Sequence, residues 1–175
     1  EVYTLRRTAA NLLDVYVGHN AGERILKGQI SRGDTTTLEA AIWLSDLRGF
    51  TTLSERLSPP ELLTLLNRYL DRMSGAIEAH GGVIDKFIGD AIMALFGAPV
   101  AQGDAAIRAI NAARAMEAAL VELNAELAAE GRPPLGIGVG VNTARVVAGN
   151  IGSHRRLNYS VIGDGVNVAA RLQAL

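Results

Sequence analysis

GGVIDKFIGDAIMALF, residues 81–96, contains two sets of apolar residues, Val83-Ile84 with Phe87-Ile88 and then 91–96, on either side of Gly89-Asp90. A Gly-Asp pair between two such sets is typical of the tight turn of an antiparallel hairpin. The hairpin tip therefore carries the Asp90 carboxylate, and strand alternation predicts Lys86 on the same face near the tip. Because Asp also bonds the backbone of its own turn, the hairpin alone leaves a structural role and a functional site both open.

The flanking segments alternate in type. Residues 40–47 predict a strand rich in Ile and Trp, and Ser58-Pro59-Pro60-Glu61 is a capped helix start whose apolar stripe runs to Gly81. Downstream we predict, in order, a helix over 104–131, a strand pair 136–141 and 146–151 around Asn142-Thr143, a strand over 159–162 and a helix over 166–175. This order predicts an α+β fold, a ferredoxin-like split βαβ sandwich with a mainly antiparallel sheet and helices on one face.

We divide the chain into a helical linker or dimerisation segment, residues 1–37, and a globular domain, residues 38–175. Apolar residues in the segment recur at helical spacing, from Leu5 to Tyr16. This stripe either packs on the domain or pairs with a second copy, and we favour pairing. Because the chain opens on Glu1 in the middle of a pattern, we expect a piece of a longer protein with an upstream sensor or membrane domain.

Composition excludes several classes of partner. The chain has 175 residues, 49% of them hydrophobic and 20% charged, and a net charge of −1, so neither nucleic acid nor an anionic membrane is an expected partner. It has no cysteine and no apolar run of the roughly 18 to 20 residues that span a bilayer. We expect a cytoplasmic location, either free or as the cytoplasmic domain of a membrane-anchored protein.

Two acidic residues stand at strand ends, Asp46 after the first strand and Asp90 at the hairpin tip. A split sheet can bring these ends together, and two facing carboxylates repel unless a cation lies between them. Oxygen ligands favour Mg²⁺ or Mn²⁺. Spacing leaves open the alternative that Asp46 merely bonds backbone amides.

Three other segments contain candidate ligand groups. Residues 47–51, LRGFT, form a turn into a helix whose free amides could hold phosphate oxygens, with Gly49 permitting close approach. Asn167 and Arg171 share one face of the last helix, where they either contact a polar ligand or form a solvated surface. The same two alternatives hold for Arg145. No GxxxxGK[ST] loop is present, and the GIGVG at 136–140 indicates close packing within the sheet.

Three stretches together resemble the catalytic domain of class III nucleotide cyclases of the bacterial adenylate cyclase kind. They are SDLRGFT at 45–51, KFIGD at 86–90 and GDGVNVAAR at 163–171. The three stretches come in the family's order with suitable spacing, and the resemblance covers residues 38–175. Family domains continue past the last helix with further strands, so the resemblance also implies truncation at the C-terminal end.

The resemblance implies an adenylate cyclase that converts ATP to cyclic AMP and pyrophosphate, with two Mg²⁺ or Mn²⁺ ions held by Asp46 and Asp90. Asn167 would orient the ribose, and Arg171 would stabilise the transition state. Arg145 matches a family position that contacts phosphates, and the turn residues Gly49, Phe50 and Thr51 remain candidates for phosphate contacts through their amides. In this family one subunit supplies the metal ligands and the other the remaining groups, so a homodimer with shared sites is implied.

Base choice is implied to rest on Lys86 and Ser160. Lys86 can donate to adenine N1 and Ser160 can accept from the 6-amine, which favours ATP over GTP. Ser160 departs from the aspartate common at this position and resembles the subgroup with Thr or Ser, for which bicarbonate responsiveness is conceivable. The alternatives are a guanylate cyclase and a catalytically silent dimerisation or nucleotide-sensing module. A diguanylate cyclase is disfavoured because its GGDEF hairpin is absent.

Overall fold

A computed structural model describes residues 2–17, 19–28, 35–153 and 156–175. The helices are α1 (Val2–Val17), α2 (His19–Leu26), α3 (Phe50–Arg56), α4 (Pro59–Ala79), α5 (Ala105–Ala129) and α6 (Asp164–Gln173). The strands are β1 (Thr35–Leu47), β2 (Val83–Ile88), β3 (Ala91–Phe96), β4 (Ile137–Ser153) and β5 (Arg156–Ile162). They form one sheet in the order β2-β3-β1-β4-β5, and every neighbouring pair is antiparallel. The predicted α+β class with an antiparallel sheet is confirmed.

The sheet separates two apolar cores. One core lies between the sheet and the helices α4 and α5, and its fully buried members include Trp43, Tyr69 and Phe96. The other core contains Ala169 of α6, so α6 lies on the opposite face from the two long helices. Helix α3 also packs against the first core through Phe50 and Leu53, so α3, α4 and α5 share one face as predicted, whereas α6 does not. Close approach of α6 depends on glycine, because a Cβ atom on Gly140 would collide with the carbonyl oxygen of Ala169.

The predicted strand pair around Asn142-Thr143 is wrong, since β4 runs without a turn from Ile137 to Ser153. Two contacts explain the difference. Strand β1 begins at Thr35, five residues before the predicted start, and pairs with β4 along its whole length. The Asn142 side chain donates to the carbonyl oxygen of Gly165 in α6 at 3.0 Å instead of stabilising a turn. Partners distant in sequence thus extend this strand through a segment that looked like a loop.

The hairpin and the start of α4 form as predicted. Gly89 takes the left-handed conformation, with φ of 64°, that the turn requires. Ser58 and Glu61 form a reciprocal capping box at the N-terminus of α4. The register of β2 against β3 shifts between Ile84 and Lys86, which leaves Asp85 at a β-bulge.

The two N-terminal helices contact mainly each other. Residues 29–34, which join them to the sheet, lie outside the described residues. The apolar side chains of Leu5 and Leu12, two members of the α1 stripe, are 71% and 54% exposed, so α1 does not bury these two residues against the described part of this chain. In the described part of the chain, no helix combines the length and apolarity needed to cross a membrane.

Candidate active site

Two carboxylates meet where β1 ends and the β2–β3 hairpin turns. Asp90 contacts Asp46 directly, and its Oδ2 accepts a hydrogen bond from the Leu47 amide at 3.1 Å. The amide that directly follows Asp46 in the chain thus bonds the facing carboxylate. Since both side chains are only partly buried, the pair is open to a ligand from solvent.

The environment of the pair opposes ionisation of Asp90. Burial and the adjacent Asp46 carboxyl group raise the pKa of Asp90 to about 6, although the amides of Asp90 and Leu47 act in the opposite direction. Among the described residues, no lysine or arginine forms an ion pair with either carboxylate. The site therefore has an unbalanced negative charge when both groups are ionised.

Such a donor set fits Mg²⁺ or Mn²⁺. These ions take oxygen ligands, and Mg²⁺ is usually held by one or two carboxylates together with water and substrate phosphates. No group of three or more potential metal ligands occurs within the described ranges, so Asp46 and Asp90 would leave several coordination positions to other oxygens. The phosphates of a nucleoside triphosphate can supply these ligand oxygens.

The raised pKa of Asp90 predicts how stability depends on pH. Between its ordinary value of 3.8 and the folded value of about 6, the folded protein keeps a proton that the unfolded chain has released. The free energy of unfolding of metal-free protein should therefore fall as pH rises through this window. Asp90→Asn should remove this dependence on pH. The change in the free energy of unfolding across the window is about 1 kcal/mol or less, because solvent screens the partly buried group.

Thermal unfolding in chelator from about pH 4 to about pH 7 measures this effect. Asp71→Asn, which alters an exposed carboxylate on α4, is the matched control and should keep the wild-type slope. Adding Mn²⁺ should raise the Tm of wild type more at the upper end of this range than at the lower end. Equal slopes in wild type and Asp90→Asn would contradict the assignment.

A second polar cluster joins the two edge strands of the sheet. Lys86 Nζ in β2 donates to Ser160 Oγ in β5 at 3.0 Å, and Ser160 Oγ donates to Asp85 Oδ2 at 2.8 Å. In a flat sheet these strands would lie about 19 Å apart, so the sheet must curl to bring them together. Val161 of β5 shares the second core with Met93 of β3, which holds this curvature.

Asp85 is the residue of this cluster that the sequence analysis missed. Its side chain is only 3% exposed, and its Oδ2 also lies 3.2 Å from Lys86 Nζ. Strand alternation would send adjacent residues to opposite faces, but the bulge lets Asp85 and Lys86 reach the same partner. The sequence predicts Lys86 and Asp90 near one hairpin tip, but they have different partners: Lys86 contacts Ser160 and Asp85, and Asp90 contacts Asp46.

The other predicted site residues are arranged along α6, β4 and the start of α3. Asn167 and Arg171 are one turn apart on α6 and exposed, as is Arg145 on β4. Within the described part of the chain none of the three side chains has a hydrogen-bond or ion-pair partner. Gly49 precedes α3 with φ of 70°, and Phe50 begins that helix. The side chains of Asn167, Arg171 and Arg145 are therefore available to a ligand, whereas Phe50 packs against the core beneath α4 and α5. The roles of all these residues stay predictions.

A buried pair of hydroxyl groups lies near the carboxylates. Ser45 and Tyr69 are almost fully buried, and neither hydroxyl makes a well-formed hydrogen bond with a described residue. Burial first, and then the charges of Asp90 and Asp46, raise the pKa of Tyr69 to about 12, while the Ser45 hydroxyl acts to lower it. Tyr69 therefore stays protonated next to the acidic pair.

Fold and site together define an α+β domain with a paired-carboxylate site suited to a divalent metal ion. The profile of the adenylate and guanylate cyclase catalytic domain matches residues 34–175. The chain therefore belongs to this family of nucleotide cyclase domains, as the resemblance implied.

Individual relatives include enzymes of both purine specificities. The adenylate cyclase of Anabaena cylindrica is 41% identical over 150 residues, which are 83% of this chain and 29% of that protein. The structure of the guanylyl cyclase Cya2 aligns with a TM-score of 0.76 and 45% identity over 79% of this chain and 71% of that chain. The adenylyl cyclase CyaB from P. aeruginosa aligns with a TM-score of 0.78 and 40% identity over 81% and 74%. Similarity therefore identifies the family without choosing the base.

Proposed function

We propose that this chain is the catalytic domain of an adenylate cyclase that converts ATP to 3′,5′-cyclic AMP and pyrophosphate. The observation that carries the proposal is the contact between Lys86 and Ser160, which places a donor and an acceptor 3.0 Å apart. Adenine presents an acceptor at N1 beside a donor amine, so the two patterns are complementary. Guanine has a hydrogen on N1 that would face the Lys86 ammonium, and ATP is the better match.

Asp46 and Asp90 would hold two Mg²⁺ or Mn²⁺ ions together with the triphosphate. When bound, these ions would lower the pKa of the ribose 3′-hydroxyl and neutralise charge on the phosphates. The two carboxylates would determine where the metal ions, and therefore the phosphates, bind. Burial first, and then the neighbouring Asp46 carboxyl group, raise the pKa of Asp90, and a bound cation would oppose both effects by stabilising the ionised form.

Three exposed side chains would contact the nucleotide outside the base. Asn167 would orient the ribose by hydrogen bonding, and Arg171 would stabilise the charge that develops on the α-phosphate. Arg145 would bind phosphate oxygens, for which a guanidinium is well suited. Gly49, Phe50 and Thr51 are further candidates for phosphate contacts.

Each active site would be shared by two copies of the chain, one supplying Asp46 and Asp90 and the other Lys86, Ser160, Asn167 and Arg171. Exposed apolar side chains support a second copy as the partner. Phe87 and Ile88 at the hairpin are 50% and 56% exposed, and Ile162 of β5 is 58% exposed. Such patches on a soluble domain commonly mark protein interfaces. The exposed stripe of α1 supports residues 1–37 as a further dimerisation segment beside a catalytic domain of residues 38–175.

A cytoplasmic setting, with an upstream sensor or membrane domain in the full-length protein, completes the proposal. A chain without cysteine has no need of an oxidising compartment. The resulting role is intracellular signal transduction.

A product assay tests the function. Purified protein with Mn²⁺ and either ATP or GTP should form mainly cyclic AMP, with kcat/KM for ATP about tenfold or more above that for GTP. The specific rate should rise with protein concentration as dimers form. Predominant cyclic GMP would support a guanylate cyclase, which is the activity of the relative Cya2. A folded dimer that forms no cyclic product would support the silent sensing module.

A further inference from the structure

We propose that Asp85 determines base choice by holding the Ser160 hydroxyl as a hydrogen-bond acceptor. The inference rests on the proposed adenylate cyclase function and assigns a positioning residue within the same site. Asp85 contacts Ser160 through a hydrogen bond of 2.8 Å, and its role in base choice would be exerted through this neighbour.

The hydrogen-bond pattern at Ser160 supports this role. A serine hydroxyl has one hydrogen and two acceptor lone pairs. The hydrogen is donated to Asp85 Oδ2 at 2.8 Å, and one lone pair accepts from Lys86 Nζ at 3.0 Å. The Ser160 hydroxyl therefore has one lone pair left, and it can only accept a hydrogen bond from a base.

Because the groups are buried, water does not readily replace these hydrogen bonds. The Asp85 side chain is 3% exposed and Ser160 is 4% exposed. A buried carboxylate requires donors, and among the described residues Ser160 and Lys86 are the donors that contact its Oδ2. Rotating the Ser160 hydroxyl away would leave a buried acceptor without one of its partners, which is unfavourable.

The consequence for the base follows from hydrogen-bond polarity. The 6-amine of adenine donates and can meet the remaining lone pair of Ser160, whereas the 6-carbonyl oxygen of guanine would place two acceptors against each other. An unrestrained hydroxyl could rotate and donate to guanine, and so would discriminate poorly. Asp85 thus gives Ser160 the acceptor character that a carboxylate at position 160 would have by itself.

Replacing Asp85 with Asn tests the inference. The amide group of Asn can donate to Ser160 Oγ and release the hydroxyl hydrogen toward the base. We expect the ratio of kcat/KM for ATP over GTP to fall about tenfold, mainly through a gain with GTP. Asp71→Asn makes the same chemical change on the exposed surface of α4 and should keep the wild-type ratio.

A carboxylate swap separates base choice from a general structural effect. The double variant Asp85→Asn with Ser160→Asp moves the carboxylate from β2 to β5 and should regain ATP preference. A loss of general integrity would lower both activities together and would not be repaired by the second change. If Asp85→Asn does not fold, Asp85→Ser removes the same carboxylate with a smaller side chain and carries the same expectation.

The possible results are distinguishable. A wild-type protein that prefers GTP or forms no product would overturn the proposed function itself. A wild-type protein that prefers ATP, with a folded Asp85 variant that keeps the wild-type ratio, would overturn only the role of Asp85. A double variant that does not regain ATP preference would also contradict it.

Discussion

Asp46→Ala is expected to lower cyclic AMP formation at least about a thousandfold, because the two divalent ions proposed for this site would lose one of their two carboxylate ligands. Asp46 faces Asp90 at the end of β1, and no group of three potential ligands within the described ranges could replace it. The loss should appear in kcat at saturating ATP and Mn²⁺. Product formation by the purified variant measures it directly.

The same variant should be folded. Removing one of two facing carboxylates relieves repulsion, so the pKa of Asp90 should move down toward its ordinary value and metal-free stability should not decrease. Asp71→Ala on α4 serves as the control and should keep full activity. An Asp46→Ala protein that retains more than about a tenth of wild-type activity would rule out the two-carboxylate metal site.

Arg171→Ala is expected to lower kcat about a hundredfold to a thousandfold with little change in KM, since its guanidinium would act on charge that develops only in the transition state. Arg171 is exposed on α6 and has no partner among the described residues, so its removal should not disturb the fold. Steady-state kinetics over a range of ATP concentrations separate the two parameters.

Arg114→Ala is a matched control, because Arg114 is exposed on α5 and is not one of the candidate site residues. Arg171→Lys should recover only part of the lost rate, since an ammonium cannot reproduce the planar, two-pronged donor geometry. A raised KM with an unchanged kcat would instead assign Arg171 to ground-state binding.

The parts of the fold that depend on local chemistry could be predicted from sequence. The hairpin follows from Gly89-Asp90, and the start of α4 follows from the capping box of Ser58 and Glu61. The course of β4 could not be predicted in this way. Asn142 resembles a turn residue, and only its bond to Gly165 and the pairing of β4 with β1 show why the strand continues.

The candidate site also has one part that could be predicted from the sequence and one part that could not. The meeting of Asp46 and Asp90 could be expected, because both stand at strand ends that a split sheet brings together. Asp85 could not be expected, because its contact with Ser160 depends on a bulge in β2 and on the curl of the sheet. Neither feature is encoded by a short sequence pattern.

Mixing Asp46→Ala and Asn167→Ala proteins tests the shared active site most directly. Each variant dimer should be nearly inactive alone, but a mixed dimer has one site with both Asp46 and Asn167 intact. After subunit exchange, the mixture should reach about a quarter of wild-type activity, because half of the dimers are mixed and each has one intact site of two. Mixed dimers that form, as shown by differently tagged subunits, and yet remain inactive would contradict the account.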